Sequence, residues 1–364
     1  MPVAHSSPLL PIERVEVYWG KVPVHCHFSY GSPDTFDFLL TRIESCGHFG
    51  WGETLIPQVD DCCDHTTRLL GQDAGRLDAL LELDVEGRSD LYVESLSMAL
   101  YDLVGCATGK PLHALLGGLH RKIVPLMPCV FPEDAEDAAV KARAFVDGGM
   151  KHLKVKLMAD PQRDLDTIRA IRRAVGAGIS LQGDANEGYA IEELDAGLLA
   201  DLKTEGLDVI EDPCKGSPAQ YARLRRPGHP AIMVDEMARH DVLLEETMAA
   251  NAIDLVNLHP CQQGTFSHAI FRARMAQTFG VPEWVGGTGF IGIGTAAYQH
   301  LAGVIGLDGP CGELGGAFDH GQPVLCDNLP IQDGCVHLSD TPGHGARPRM
   351  ELLEKYLCGK QTIG

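Results

Sequence analysis

The sequence predicts an α/β protein, a barrel of parallel strands with a smaller α+β domain ahead of it. Three observations predict it. From about residue 121 to 315, eight short apolar runs alternate with amphipathic stretches at roughly 25-residue spacing. Five consecutive runs end in charged or imidazole side chains. The start of the chain, before the first helical pattern, shows instead the β-branched, aromatic, turn-punctuated character of a separate sheet.

In chain order, VEVYWGKVPV and FDFLLTRI read as strands divided by GSPD, and from about 60 to 118 LLGQDAGRLDALLELD and SLSMALYDLVGCATG repeat apolar residues at three and four, as helices do. GKPLHALLGG closes that part with glycine stops. The runs that follow are IVPLMPCV, HLKVKL, ISLQGD, LDVIED, AIMVDE, IDLVNLHP and VPEWVGGT, with a weaker one near CGELGG. Between them lie helical patterns such as DPQRDLDTIRAIRRAV, AIEELDAGLLADLKTEG, SHAIFRARMAQTFG and GTAAYQHLAGVIG. Eight such units favour closure into a barrel over an open doubly wound sheet. The tail is turn-rich, with one last helix in RPRMELLEKYL. The expected division is a capping domain at 1–120, a barrel at 121–320, and a segment at 321–364 that packs back on the cap.

The 364 residues carry a formal charge of −20, which disfavours nucleic acid and acidic lipid as partners. No run of about 18 apolar residues is present, so no membrane span is expected. The 12 cysteines include no CxxC pair, only the neighbours Cys62 and Cys63, so zinc ribbons and thioredoxin-like motifs are not indicated. The N-terminal residues lack a basic region followed by an apolar core, and the expectation is a cytoplasmic protein with reduced thiols.

In a parallel barrel the carboxyl ends of the strands form one face, where active sites are built. Those ends carry Lys154 and Lys156, Asp184 and Asn186, Glu211 and Asp212, Asp235 and Glu236, then His259. Asp184, Glu211 and Asp235 follow one another at intervals of one βα unit each. One such acid reads equally well as a helix cap, but three at matching positions repel unless a cation joins them. Oxygen ligands alone suit Mg²⁺ or Mn²⁺. Lys154 and Lys156 share one face of a strand buried on both sides, where two ammonium groups depress each other and one can serve as a base. His259 faces them across the metal as an acid or base. Gly287, Gly289 and Gly292 form a GxGxxG that would suggest a dinucleotide site, and hence an NAD-dependent oxidoreductase. Their late position in the chain favours a loop in which Gly286, Gly287 and Thr288 hold an anion by backbone N–H groups.

With these residues in place the chain resembles the enolase superfamily, in its mandelate racemase and muconate lactonizing enzyme branch. HFGWGET is similar to the family's early GEA or GET turn, and SMALYDLVGCATGKPLHALLGG to its ALWDLxGKxxGxPxxxLLGG helix. KVK, DAN, EDP and VDE are similar to its successive KxK, DxN, ExP and DE motifs, and GGTGFIGIGTAA to the GGTxxExxIGTAA of the lactonizing subgroup. The resemblance implies a modified TIM barrel, (β/α)7β, with an α+β N-terminal capping domain. It implies Mg²⁺ on Asp184, Glu211 and Asp235, Lys156 as base with Lys154 assisting, and Asn186 and Glu236 supporting them. It places a specificity loop near His25, His27 and Tyr30. Glu313, on the weak last run, joins these as a substrate-side candidate. An even-numbered homo-oligomer is also implied.

Two departures bear on the reaction. The lactonizing subgroup has a lysine where this chain has His259 and an acid where it has Phe290, and no histidine follows the seventh run as in the racemase subgroup. The expected chemistry is removal of the proton beside a small substrate's carboxylate, the resulting enediolate being stabilised by the metal. A histidine acid then favours β-elimination or cycloisomerisation of a hydroxy or sugar acid. Epimerisation of an amino acid or its derivative is the alternative, and a non-catalytic relative of the fold a third reading.

Overall fold

A computed structural model describes residues 9–24, 31–55, 57–81, 92–259, 264–287, 290–306, 309–312, 325–327 and 329–364. Strands β1 (Arg14–Pro23), β2 (Thr35–Ser45) and β3 (His48–Thr54) form an antiparallel sheet. Leu357–Ile363 adds a fourth strand alongside β1, with Val15 opposite Ile363. The sequence pattern predicts only a helix in this last stretch; the helix is the short Met350–Leu353, and the strand after it is too polar and too near the terminus to show an alternating pattern.

Helix α1 (Val59–Leu69) and helix α2 (Val93–Thr108) cover the sheet, and α2 is buried along most of its length. Val15, Val17, Leu39 and Ile43 meet Leu96, Leu100 and Leu103 in one apolar cluster. β3 lies directly on α2 because Gly50 and Gly52 carry no side chain; a Cβ at Gly52 would overlap the Ser95 carbonyl.

The parallel strands are β4 (Ile123–Met127), β5 (Cys129–Val130), β6 (His152–Lys156), β7 (Ser180–Asp184), β8 (Val209–Glu211), β9 (Ala231–Val234), β10 (Leu255–Leu258), β11 (Glu283–Val285) and β12 (Cys311–Gly312). They pair in the order β4-β12-β11-β10-β9-β8-β7-β6-β5. Only Pro128 separates β4 from β5, so the two ends of the sheet are halves of one crossing, and the eight crossings close into a ring. Seven helical connections join the eight crossings, which is a (β/α)7β barrel. Local signals set several starts: Asp160 accepts a bond from Arg163 N ahead of a helix that begins with Pro161, and Ser217 and Gln220 form a capping box. The stretch after β7 is two short helices rather than one, broken at Gly197 with φ 115°.

The barrel interior and its helical jacket form the largest apolar cluster, with Leu126, Leu153, Val155, Leu181, Ile210, Val234 and Val256 at its centre. Among the described residues no helix is long and apolar enough to cross a membrane, and every cysteine is free.

Candidate active site

Strand register assembles the site. Parallel pairing sets Lys156 opposite Asp184 and Asp184 opposite Glu211, so the ends of β6, β7 and β8 deliver their side chains at one level. Lys154 Nζ stands 2.9 Å from Asp184 Oδ2 and 2.8 Å from Glu211 Oε2, and Lys156 Nζ 2.6 Å from Asp184 Oδ2. Both lysines are almost completely buried, as the carboxylates are. Backbone N–H of Asn186, a residue with φ 45°, donates to Asp184 Oδ1 at 2.9 Å.

Glu211 connects this lysine side to the opposite wall. Its Oε1 accepts from Asn257 Nδ2 at 2.7 Å, its Oε2 also accepts from Gln182 Nε2, and Asn257 Nδ2 lies 3.1 Å from His259 Nε2. His259 Nε2 is 3.9 Å from Asp235 Oδ2. The crossing that leads to His259 is four steps around the eight-strand ring from the lysine strand, halfway round. Asp212 accepts from the backbone N–H of Asp235 at 3.1 Å and of Glu236 at 3.0 Å, which fixes the end of β9. Arg239 reaches Glu236 at 2.6 Å and Asp235 at 3.4 Å.

Five buried or half-buried acids, Asp184, Glu211, Asp212, Asp235 and Glu236, thus face three cationic side chains, Lys154, Lys156 and Arg239. The excess of negative charge shows in the carboxyls. Burial, then the charge of Asp184, pushes Glu211 up to about 7 despite Lys154. Burial together with Asp235, Glu211 and Asp184 also raises Asp212 well above the usual carboxylate range, and burial raises Glu236 to about 7. Burial also opposes ionisation of Asp184, but there the two ammonium groups win and hold its carboxyl below the ordinary range.

A bound cation is the other way to supply the missing charge, and the donors fit one. Glu211, Asp235 and His259 offer ligand atoms within 4.8 Å of one another, as do Asp212, Asp235 and Glu236. Asp235 Oδ1 and Asn186 Oδ1 are buried oxygens with no hydrogen-bond partner among the described residues. Of the three acids named from the sequence, Glu211 and Asp235 share a cluster with His259, while Asp184 stands on the lysine side.

The glycine-rich stretch backs His259. A Cβ on Gly286 would overlap the imidazole, so only glycine lets the ring lie there. Gly287 is buried beside it. The helix Ile293–Ile305 that follows is capped by a residue from the other sheet: Glu53 Oε1 accepts from Ile291 N at 2.5 Å and Oε2 from Gly294 N at 2.9 Å. The helix N-terminus where a dinucleotide pyrophosphate would sit is therefore filled by protein carboxylate. Phe290 is fully buried, edge-on to Tyr298 with ring centroids 5.0 Å apart. His25, His27, Tyr30, Thr288 and Glu313 lie outside the described residues.

Sequence reading missed Gln182, Asn257, Arg239 and Glu53. Gln182 and Asn257 precede Asp184 and His259 by two, and so share their inward faces, which is the one signal that pointed to them.

Fold and site together define an α/β-barrel enzyme whose polar groups converge at the carboxyl ends of the strands. Residues 137–352 match the enolase C-terminal domain-like family. The chain is 25% identical to the N-succinylamino acid racemase of Thermus thermophilus, over 94% of this chain and 96% of that one. It is 28% identical to the cis-3-hydroxy-L-proline dehydratase of Roseibium aggregatum, over 78% and 77% of the two chains. The crystal structure of a dipeptide epimerase from Cytophaga hutchinsonii, complexed with Mg and the dipeptide D-Ala-L-Val, superposes with a TM-score of 0.83 at 25% identity, covering 97% of this chain and all of that one. The chain belongs to the enolase superfamily, within its mandelate racemase/muconate lactonizing enzyme family.

Proposed function

We propose that this enzyme abstracts the proton α to the carboxylate of a small substrate, with Mg²⁺ held by Asp184, Glu211 and Asp235, and carries the enediolate on to β-elimination or cycloisomerisation of a hydroxy or sugar acid. The observation that supports this reading is the placement of two lysines and one histidine on opposite walls of a carboxylate-lined mouth, linked through Glu211 and Asn257. Mn²⁺ would suit the same oxygen donors. The bound metal would act as a Lewis acid on the substrate carboxylate and stabilise the charge that develops there.

The protein's own groups do the rest. Lys156 Nζ takes the α-proton. Lys154, between Asp184 and Glu211, holds two of the three metal-side carboxylates in register. On the far wall the imidazole of His259 delivers a proton to a departing hydroxyl or to carbon, a task for which a histidine is better matched to neutral pH than a lysine. Asn186 and Glu236 support the carboxylates, and Gly286 shapes the wall behind the histidine.

A second reading, racemisation or epimerisation of an amino acid derivative, has the names of two relatives in its favour, the N-succinylamino acid racemase and the dipeptide epimerase. It needs two groups that each both take and return a proton at carbon, and here those are chemically unlike. A screen of hydroxy acids, sugar acids, N-acylamino acids and dipeptides with Mg²⁺ separates the two. Formation of a 2-keto acid or lactone supports the first reading. Inversion at the α-carbon without loss of any group supports the second and overturns the first.

A further inference from the structure

The helix Ile293–Ile305 starts without a local cap. Its first flanking residue is Gly292, with φ 137° and no side chain to bond the free N–H groups. Glu53 supplies both bonds from the distant end of β3, and is itself fully buried. A carboxylate at this end of a helix meets free N–H donors and the positive end of the helix dipole at once.

The stretch that Glu53 grips is the wall of the site. At one end Gly286 touches the His259 ring, and at the other Ile291 and Ile293 pack with Tyr18, Phe38, Leu40 and Trp51 of the cap sheet. β3 has no room to shift, since Gly50 and Gly52 seat it on the backbone of α2. Glu53 is thus a direct polar link from the cap sheet to the backbone at the start of the Ile293–Ile305 helix.

We propose that Glu53 is a positioning residue for the histidine wall: by capping the Ile293–Ile305 helix from the cap sheet it fixes Ile291 and Gly292, and with them the placement of Gly286 against the imidazole of His259, while leaving the lysine wall untouched. Its catalytic consequence rests on the function proposed above; its structural consequence does not.

The test uses the full-length protein and its near-isosteric variant Glu53→Gln. At pH 8, where the acid is ionised and both its oxygens accept, the amide group of the variant turns a donor towards backbone N–H groups, so one bond is lost, and the amides of Ile291 and Gly294 exchange with deuterium about tenfold faster. The NMR signals of the His259 ring shift in the variant. With any substrate found in the screen, product formation falls about tenfold while deuterium uptake at the α-carbon stays within about twofold of wild type. Unchanged amide protection and an unchanged His259 signal overturn the proposal. So does an equal fall in exchange and product formation, which marks Glu53 as a general support of the fold. If the variant does not fold, the wild type still decides: its Ile291 and Gly294 amides must be as protected as the helix interior, and rapid exchange there overturns the clamp. A loosened loop and a shifted His259 with no substrate in the whole screen would leave the clamp standing and remove the proposed function.

Discussion

The imidazole of His259 lies against Gly286 so closely that no side chain fits between them. The imidazole proposed as the acid, after β10, and a glycine after β11 are therefore one feature. Gly286→Ala should displace the ring by the width of a methyl group. The expected result is a fall in product formation of about tenfold or more with a modest loss of stability, about 1–3 kcal/mol, since close-packed interiors resist even one added carbon. Activity and Tm within error of wild type would show that the ring has room to move.

Asn257 joins the two walls by donating to Glu211 and standing beside His259. Asn257→Leu keeps the volume and removes the donor. Glu211 Oε1 is then buried without that bond, at a cost of about 1–3 kcal/mol. Mg²⁺ affinity, measured by calorimetric titration, should fall about 10- to 100-fold, as it does when the groups that orient metal ligands are removed.

The charge balance gives a test whose sign depends on the metal. Asp235 raises the carboxyls of both Glu211 and Asp212. Without metal, Asp235→Asn removes a repelling neighbour and should raise Tm. With saturating Mg²⁺ the order reverses, because wild type gains about 2.7 kcal/mol at a hundredfold excess over Kd and the variant gains less. Thermal melts in EDTA and in Mg²⁺ read both signs.

Burial holds the Glu53 carboxyl up to about 7, against about 4.5 for a free glutamate. The native state therefore keeps a proton that the unfolded chain has already lost. Its contribution to stability is whole below pH 4.5, shrinks as pH rises, and is gone above pH 7, a change on the order of 3 kcal/mol. Urea titrations at pH 5 and pH 7.5 should show wild type losing stability relative to Glu53→Gln over that interval. A constant difference would contradict the shift.

The placement of the site's charged residues was more legible in the sequence than that of the groups around them. Lys156, Asp184 and Glu211 could be placed together because successive parallel strands, one βα unit apart, end at a common level, and the register sets the three side by side. Gln182 and Asn257 could not, since an inward amide two positions before a charged strand end looks like any other strand residue. Glu53 was quoted as part of a motif with no partner in view, because its bonds to Ile291 and Gly294 join segments that only the folded chain brings together. The strand Leu357–Ile363 was missed for a related reason, its pairing with β1 spanning nearly the whole chain.

In the proposed mechanism Lys156 takes the α-proton and His259 acts afterwards from the other wall. The direct measurement is deuterium incorporation at the α-carbon in deuterated water with Mg²⁺, for wild type, Lys156→Ala and His259→Asn. Exchange is expected in wild type and in His259→Asn, with product lost in the latter, and none in Lys156→Ala. Exchange at the wild-type rate in Lys156→Ala would contradict that mechanism.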